Sequence, residues 1–348
     1  MKNIIILGAG AMGSAFSVPC ITNNNNVKIF GTHLEDDFIK KIIKNNNYHP
    51  SLDINIPKKV KFYKYSYLNR EILNEQDLIV IAVNSKGIEW VVNELTKHLH
   101  DSKLPHLLLL TKGLSIHNNR YEVLVEKMKR LLIKKNFKKI DLTAVAGPCL
   151  AGGLANKVHS SVIFANNNIK IANYLKKNIE TDFYHISTST DIIGVEVCAA
   201  IKNIYSMIIG ASKEISNTSL DKKIKEKNYF NTSAALIKQS LNEMEIIVRH
   251  LKGSKKTVYG LAGLGDLYVS SIGGRNSLMG SYIGSGLTYS EAKKNKMKNI
   301  TVEGAELAFE IGRNIKKDFN KKTMPLMMSM LDVLMNDKKL KVNWDNFE

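Results

Sequence analysis

A single lysine lies on the apolar face of a helix that the sequence predicts over residues 191–210, DIIGVEVCAAIKNIYSMIIG. Val195, Cys198 and Tyr205 recur with Lys202 at helical spacing, which places the amine among apolar side chains. Two interpretations stay open. Either the side chain snorkels so that its ammonium reaches water, or it is partly desolvated, which makes the neutral amine accessible as a general base.

A glycine motif near the N-terminus supplies a second chemical signal. The run NIIILGAGAMG reads as a buried strand, Ile4 to Leu7, followed by Gly8-x-Gly10-x-x-Gly13 and the start of a helix. Gly8 permits a tight turn, Gly10 lets the backbone approach a pyrophosphate, and Gly13 lets helix and strand pack closely. Free N–H groups at the helix N-terminus favour phosphates. The sequence therefore predicts dinucleotide binding at this loop.

The second predicted strand, NVKIFGTH over residues 26–33, bears on the choice of dinucleotide. In an NAD-selective enzyme an acid normally ends this strand and binds the 2′-hydroxyl of the adenosine ribose. Here the strand ends in Thr32 and His33, and the nearest acids, Glu35 and Asp36, come later. The sequence does not support strict NAD selectivity, and Thr32 or His33 could face a 2′-phosphate.

Further strands are predicted to end in polar or glycine-containing turns. Ligands bind beyond the carboxyl ends of strands in open α/β sheets. We therefore expect Asn84, Lys112 and the 147–151 loop at the same edge as the glycine loop. The segments SVIFA (161–165) and FYHISTST (183–190) are predicted to complete the sheet.

The second half of the chain has helical periodicity and its own polar signature. Residues 260–284, GLAGLGDLYVSSIGGRNSLMGSYIG, are rich in glycine and contain one acid, Asp266, and one arginine, Arg275. The pattern predicts a loop whose backbone amides close around an anion, with the guanidinium suited to a phosphate; a flexible loop with an incidental arginine is the alternative. Asp266 would hold Lys202 in position but oppose its deprotonation.

These patterns predict an α/β fold class with two domains. We expect an N-terminal Rossmann dinucleotide-binding domain over residues 1–189 and an all-α C-terminal substrate domain over residues 190–348. A length of 348 residues accommodates two domains of ordinary size.

Composition limits the partners and the compartment. The net charge of +18 admits a nucleic-acid or anionic-membrane partner. The lysines are scattered along a chain also rich in asparagine and isoleucine, which favours a coding bias, and we expect no nucleic acid partner. Three distant cysteines predict a reducing cytoplasm, and no His/Cys cluster has zinc spacing. The N-terminal apolar run is too short for a signal peptide or a membrane span.

Several motifs, in order along the chain, resemble one known family. The segments are GAGAMG, TKG, AGPCLA, DIIGVEVCAAIKN, NTSAALI, GLAGLGDL, GGRN and VEG, and the family is the bacterial-type NAD(P)-dependent sn-glycerol-3-phosphate dehydrogenases. The resemblance covers nearly the whole chain. It implies NAD or NADP as cofactor, interconversion of glycerol 3-phosphate and dihydroxyacetone phosphate for glycerophospholipid synthesis, and a cytoplasmic homodimer without an integral membrane segment or a metal.

The resemblance also implies roles for individual residues. Lys202 falls on the catalytic lysine, and Arg275 with Asn276 falls on the pair that grips the substrate phosphate. The implied substrate contacts are Lys112, Gly147, Cys149, Lys202, Asn203, Asp266, Ser270, Gly274, Arg275 and Asn276. The implied cofactor contacts are Gly8, Gly10, Ala11, Met12, Gly13, Thr32, Asn84, Lys112, Ala151, Arg275, Thr301 and Glu303.

The chain departs from the family pattern at a few of these positions. Met12 replaces the usual aromatic residue, Asn84 a proline, Cys149-Leu150 a Ser/Thr-Phe pair, and Gly274 a serine. These four changes alter the fit of cofactor and substrate without touching the chemistry. Thr32 stands where a basic residue or histidine is usual, which leaves the choice between NAD and NADP open.

Two other functions compete with this interpretation. Ketopantoate reductases also begin with a segment like GAGAMG and use a lysine, but they lack the GLGDL and GGRN segments and need no phosphate grip. A non-enzymatic Rossmann protein that senses the dinucleotide and binds nucleic acid would explain the positive charge, but the sequence holds no helix-turn-helix or RNA-binding motif.

Overall fold

The chain folds as two compact units. In this computed structural model, residues 1–99, 104–216, 223 and 228–347 are described. The first unit comprises Met1–Lys112 and Leu124–Ile192, and the second comprises Gly113–Val123 and Ile193–Glu348. The segment Gly113–Val123, which the sequence-based division places in the first domain, therefore belongs to the second unit.

The strands of the described residues are short and mostly buried. They are β1 (Asn3–Leu7), β2 (Asn26–Phe30), β3 (Tyr48–His49), β4 (Ile54–Asn55), β5 (Lys61–Tyr63), β6 (Leu78–Ile81), β7 (His106–Leu109), β8 (Leu114–His117), β9 (Arg120–Val123), β10 (Leu142–Ala146), β11 (Ser160–Ala165) and β12 (Tyr184–Ser189).

The helices alternate with strands in the first unit and follow one another in the second. They are α1 (Ala11–Thr22), α2 (Asp36–Lys44), α3 (Arg70–Asn74), α4 (Ile88–Leu99), α5 (Leu124–Lys134), α6 (Ala151–Ala155), α7 (Ile169–Ile179), α8 (Ile192–Gly210), α9 (Ser212–Ile215), α10 (Phe230–His250), α11 (Lys255–Val258), α12 (Asp266–Ile272), α13 (Arg275–Gly284), α14 (Tyr289–Asn295), α15 (Glu303–Asp318) and α16 (Pro325–Asn336).

An eight-stranded sheet forms the centre of the first unit. Its strand order is β12-β11-β10-β7-β6-β1-β2-β5, and every neighbouring pair is parallel except β10 with β11. The central strands are continuous apolar runs, such as IIIL in β1, because helices cover both faces of a parallel sheet. The strand order reverses between β1 and β6, and such a point binds ligands at the carboxyl ends of the strands. The α/β prediction is confirmed.

Helix α8 forms the core of the second unit. The helical segment Ile192–Ile215 is long and apolar enough to span a membrane by length and composition, but 89% of its most apolar window is buried inside the protein. Burial of this kind is typical of a core helix. Lys202 lies at the middle of α8 and is 5% exposed.

The glycine-rich segment 260–284 differs from the predicted anion-binding loop. It is mostly helical, with a π-helical turn at Leu261–Gly265 followed by α12 and α13. A Cβ on Gly263 would lie 1.9 Å from the carbonyl oxygen of Val258, and one on Gly280 would lie 1.8 Å from that of Met207 in α8. These glycines let backbones approach closely, which explains their density without a flexible loop.

Candidate active site

Lys202 is held by two side chains of α12. Its Nζ contacts Asp266 Oδ1 in a buried ion pair and donates a hydrogen bond of 2.7 Å to Ser270 Oγ. Asp266 and Ser270 are four residues apart, so they lie on the same face of α12. Asp266 is 2% exposed, and Ser270 is half-buried. The structure thus brings Lys202 together with two other predicted site residues, which lie 64 and 68 positions further along the chain.

Asn276 joins three elements next to this pair. Its Nδ2 donates to Asn203 Oδ1 on α8 at 3.2 Å, and its Oδ1 accepts from the backbone N–H of Gly304 on α15 at 2.9 Å. Gly304 makes this possible because a Cβ there would lie 2.5 Å from the carbonyl oxygen of Asn203. The amide of Asn276, which is 8% exposed, therefore orders the starts of α13 and α15 against α8.

Arg275 is the first residue of α13, and its guanidinium pairs with the carboxylate of Glu303 at the start of α15. The side chain of Arg275 is 55% exposed and that of Glu303 is 37% exposed. Gly274, the residue before α13, has φ 103°, a conformation that glycine adopts without strain. Thr301 is exposed two residues before α15. The arginine thus presents an accessible cation where the first residues of α13 and α15 meet.

The glycine loop of the first unit fits an anionic dinucleotide. A Cβ on Gly8 would lie 2.7 Å from the carbonyl oxygen of Ala82, and one on Gly13 would lie 2.3 Å from that of Gly8, so both glycines serve close packing. A Cβ on Gly10 would meet no atom within 4 Å. Packing therefore does not require glycine at position 10, whereas close approach of a pyrophosphate does.

The start of α1 strengthens this assignment. Ala11 and Met12 form its first turn, where backbone N–H groups lack an acceptor within the helix. The first turn itself contains no acid, so no side chain of that turn competes with an anion for these N–H groups. Gly10 through Gly13 could therefore hold the pyrophosphate of NAD or NADP.

Other predicted residues of the first unit lie at strand ends. Thr111 Oγ1 donates to the carbonyl oxygen of Val83 at 2.7 Å, which ties the ends of β6 and β7 together directly before Lys112. Asn84 uses its side chain locally, since Oδ1 accepts from the Gly87 N–H at 2.9 Å.

The turn after β10 carries three more predicted residues. Gly147 has φ 130°, and a Cβ there would lie 2.9 Å from Val162 Cα, so the turn requires glycine. Cys149 is half-buried and forms no disulfide, and Ala151 begins α6.

Sequence reasoning missed the position of Glu35. Its Oε2 accepts hydrogen bonds from the N–H groups of Thr32 at 2.7 Å and Ala9 at 3.3 Å, so the carboxylate lies between the end of β2 and the glycine loop. The hydroxyl of Thr32 accepts from the Leu34 N–H at 3.3 Å. The spacing of 22 residues from Gly13 was the available signal, but the acid does not itself end the strand.

Among the residues that the structure describes, no three His, Cys, Asp or Glu side chains are grouped in a way that could hold a metal ion.

Comparison with known proteins identifies both halves of the chain. A family model described as the NAD-dependent glycerol-3-phosphate dehydrogenase N-terminus matches residues 3–172, and one described as the C-terminus of the same enzymes matches residues 191–344. An NADP(+)-dependent glycerol-3-phosphate dehydrogenase from Archaeoglobus fulgidus is 30% identical over 320 residues, 90% of this chain and 91% of the relative.

Two further relatives agree. A glycerol-3-phosphate dehydrogenase [NAD(P)+] from Francisella tularensis subsp. novicida is 29% identical over 96% of this chain and 93% of its own. The crystal structure of a glycerol-3-phosphate dehydrogenase from Coxiella burnetii superposes with a TM-score of 0.78 at 25% identity, covering 97% of this chain and 96% of that one. The chain therefore belongs to the NAD-dependent glycerol-3-phosphate dehydrogenase family and is an NAD(P)-dependent oxidoreductase.

Proposed function

We propose that this chain interconverts dihydroxyacetone phosphate and sn-glycerol 3-phosphate, with Lys202 as the group that moves the proton. The observation that carries the proposal is the buried contact of the Lys202 amine with Asp266 and Ser270 in the unit matched by the family's C-terminal model. A bound nicotinamide supplies the hydride to C2 of the ketone, or accepts it from C2 of the alcohol.

Lys202 supplies what hydride transfer to a carbonyl also requires. As hydride adds to C2, negative charge develops on the carbonyl oxygen, and the ammonium donates a proton to that oxygen. In the oxidising direction the neutral amine takes the proton from the hydroxyl. Asp266 favours the ammonium, which is the proton donor, and Ser270 provides a second contact that fixes the direction of Nζ.

Arg275 is the group suited to the substrate phosphate. A guanidinium binds a phosphate through two parallel hydrogen bonds, and Arg275 is accessible enough to do so. Glu303 holds the guanidinium in place, and the phosphate would compete with this carboxylate. Asn276 supports the position of Arg275, because its hydrogen bonds tie the start of α13 to α8 and α15.

The biological setting follows from the same resemblance. We propose a homodimer in the cytoplasm that supplies the glycerol backbone of phospholipids. The three distant cysteines, Cys20, Cys149 and Cys198, are typical of a chain without a disulfide framework, which supports the proposal of a reducing compartment. Light scattering during gel filtration would test the dimer, since a mass near 39 kDa, that of one chain, would contradict it.

The test of the reaction starts with substrate choice. Purified protein should oxidise NADH or NADPH with dihydroxyacetone phosphate and not with ketopantoate. Turnover with ketopantoate alone would favour the ketopantoate reductase alternative. Retention on DNA at low salt without turnover of either substrate would favour a dinucleotide-sensing regulator.

The role of Lys202 needs a variant that still folds. Lys202→Ala leaves the buried carboxylate of Asp266 without its counter-charge. Removing one partner of a buried ion pair typically lowers the free energy of unfolding by about 3–5 kcal/mol. The double variant Lys202→Met/Asp266→Asn removes both charges at similar volume. We expect turnover to fall by about 10²- to 10⁴-fold in both variants, with dinucleotide affinity unchanged. Lys256→Ala, an exposed lysine of the same unit, is the control. Near-normal turnover of the folded double variant would refute the assignment.

A further inference from the structure

The turn after β2 places a carboxylate beside the glycine loop. Thr32 O accepts from the Glu35 N–H at 3.0 Å, which reverses the chain. The Glu35 side chain then returns over the turn, and its Oε2 accepts from Thr32 N at 2.7 Å and Ala9 N at 3.3 Å. One oxygen therefore bridges the end of β2 and the residue between Gly8 and Gly10. Among the described residues, Glu35 Oε1 receives no hydrogen bond.

Neighbouring residues hold Glu35 in this position. A Cβ on Gly31 would lie 2.9 Å from Ile39 Cγ1 and 3.3 Å from Glu35 Cβ, so only glycine lets the start of α2 come so close to the strand end. On the other side of the Ala9 residue, the buried His49 donates from Nε2 to the carbonyl oxygen of Ala9 at 3.1 Å. Because Ala9 is held at both its N–H and its C=O, the carboxylate and the loop are fixed relative to each other.

We propose that Glu35 is the ribose-binding acid of this chain and that it makes the protein prefer NAD over NADP. In Rossmann domains the adenosine ribose lies at the end of the second strand, and the acid that binds it follows the glycine motif by about 20 residues. Glu35 follows Gly13 by 22 residues and reaches the same place by folding back from α2. Its Oε1 can accept hydrogen bonds from ribose hydroxyls, whereas a 2′-phosphate would meet a negative charge.

The charges around the turn support the same preference. Residues 31–39 contain three acids, Glu35, Asp36 and Asp37, and neither lysine nor arginine. The next cation, Lys40, donates to Asp37 Oδ1 at 2.7 Å. A 2′-phosphate adds nearly two negative charges and needs a cation or several donors. Within residues 31–39 the charge balance is the opposite, and the cations Lys40, Lys41 and Lys64 outside the segment act on Asp37.

The two side chains that could face a 2′-phosphate, Thr32 and His33, also make local contacts, and neither is a lysine or an arginine. The Thr32 hydroxyl accepts a local hydrogen bond from Leu34 N. The His33 ring lies 5.6 Å from the Trp90 ring and 6.5 Å from the Tyr65 ring, so it belongs to an aromatic cluster. The preference therefore depends on Glu35, and it rests on the proposed function because the dinucleotide must bind at this loop.

The experiment measures dinucleotide binding directly. NADH and NADPH are titrated separately into the purified full chain, and each dissociation constant is obtained from nicotinamide fluorescence. The wild-type protein should bind NADH at least about tenfold more tightly than NADPH, which corresponds to one hydrogen bond to a charged group. Glu35→Gln keeps an acceptor for Ala9 and Thr32 but removes the charge, and its preference should shift toward NADPH by about tenfold.

A matched control variant and three contrary results decide the test. Glu71→Gln makes the same chemical change at an exposed site of the first unit and should keep the wild-type ratio of dissociation constants. Wild-type protein that binds NADPH as tightly as NADH would overturn the proposal even if the variant fails to fold. A folded Glu35→Gln protein with the wild-type ratio would overturn it too. Failure of wild-type protein to bind either dinucleotide would instead contradict the proposed function.

Discussion

The ion pair between Lys202 and Asp266 fixes the position of the amine and adds little to the stability of the fold. Both side chains are nearly excluded from solvent, at 7% and 4% exposure. Taking two charges out of water offsets most of their attraction, so such a pair adds little net stability. What it does provide is a fixed amine, because Asp266 and Ser270 define the direction of Nζ together. A proton-transfer group needs this fixed geometry more than it needs a stabilising contact.

Arg275 is open to a direct test at the residue scale. Replacing it by alanine removes the two parallel hydrogen bonds that a guanidinium offers a phosphate. We expect Arg275→Ala to raise KM for dihydroxyacetone phosphate by about 30- to 150-fold, the equivalent of about 2–3 kcal/mol. The dissociation constant for dinucleotide should change far less. Initial rates at varied substrate, combined with a binding titration, give both values.

Glu303→Gln separates phosphate binding from a merely structural role of the pair. This variant loses the partner of Arg275 but keeps the guanidinium. If Arg275 binds the phosphate, Glu303→Gln should leave KM for the substrate unchanged or lower it. If both variants raised the substrate KM equally, the ion pair itself would be the important feature and the phosphate role would be contradicted.

At the scale of elements, Glu243 connects three helices through one buried carboxyl group. Its oxygens accept from the N–H groups of Leu326 and Met327, both at 2.8 Å, in the first turn of α16. Tyr205 of α8 donates to Oε2 at 3.3 Å. Burial raises the pKa of Glu243 to about 7, although these hydrogen bonds act to lower it. The group therefore gains its proton near neutral pH in the folded protein.

This pKa predicts how stability varies with pH. Between pH 4.5 and about 7 the folded protein holds a proton that the unfolded chain has released. The free energy of unfolding must then fall as pH rises through that window, by about 3 kcal/mol for this group. Urea unfolding at a series of pH values should show this fall in the wild type and a reduced one in Glu243→Gln. Glu310→Gln, at an exposed position, should keep the wild-type slope; an unchanged slope in Glu243→Gln would contradict the prediction.

The elements also show what the sequence could predict. The strand, glycine motif and helix at residues 3–22 were predictable because local spacing determines each of them. The helices in 260–284 were not, since glycines that allow close packing look the same in sequence as glycines of a flexible loop. Nor could the sequence place Glu35 beside Ala9, or Glu243 at the start of α16, 83 residues away, because both contacts depend on how the chain returns to an earlier element.

At the scale of the whole molecule, the net charge of +18 remains to be connected with function. A strong positive potential raises the local concentration of anions and increases their association rate. The proposed substrate and cofactor are both anions, so the charge has a direct use without any nucleic acid. Scattered lysines suffice for such a long-range attraction, because it depends on the summed charge of the protein.

The attraction should weaken as salt screens it. Raising ionic strength from about 20 to 300 mM shortens the screening length from roughly 20 to 6 Å. We expect kcat/KM for dihydroxyacetone phosphate to fall by about three- to tenfold over this range, with kcat nearly constant, because screening slows encounter and leaves chemistry unchanged. Dihydroxyacetone, which lacks the phosphate, is the control and should show no such fall in its slower reaction. If kcat/KM for both substrates varied equally with salt, ions would be acting on the protein itself, and the charge would have no role in attracting substrate.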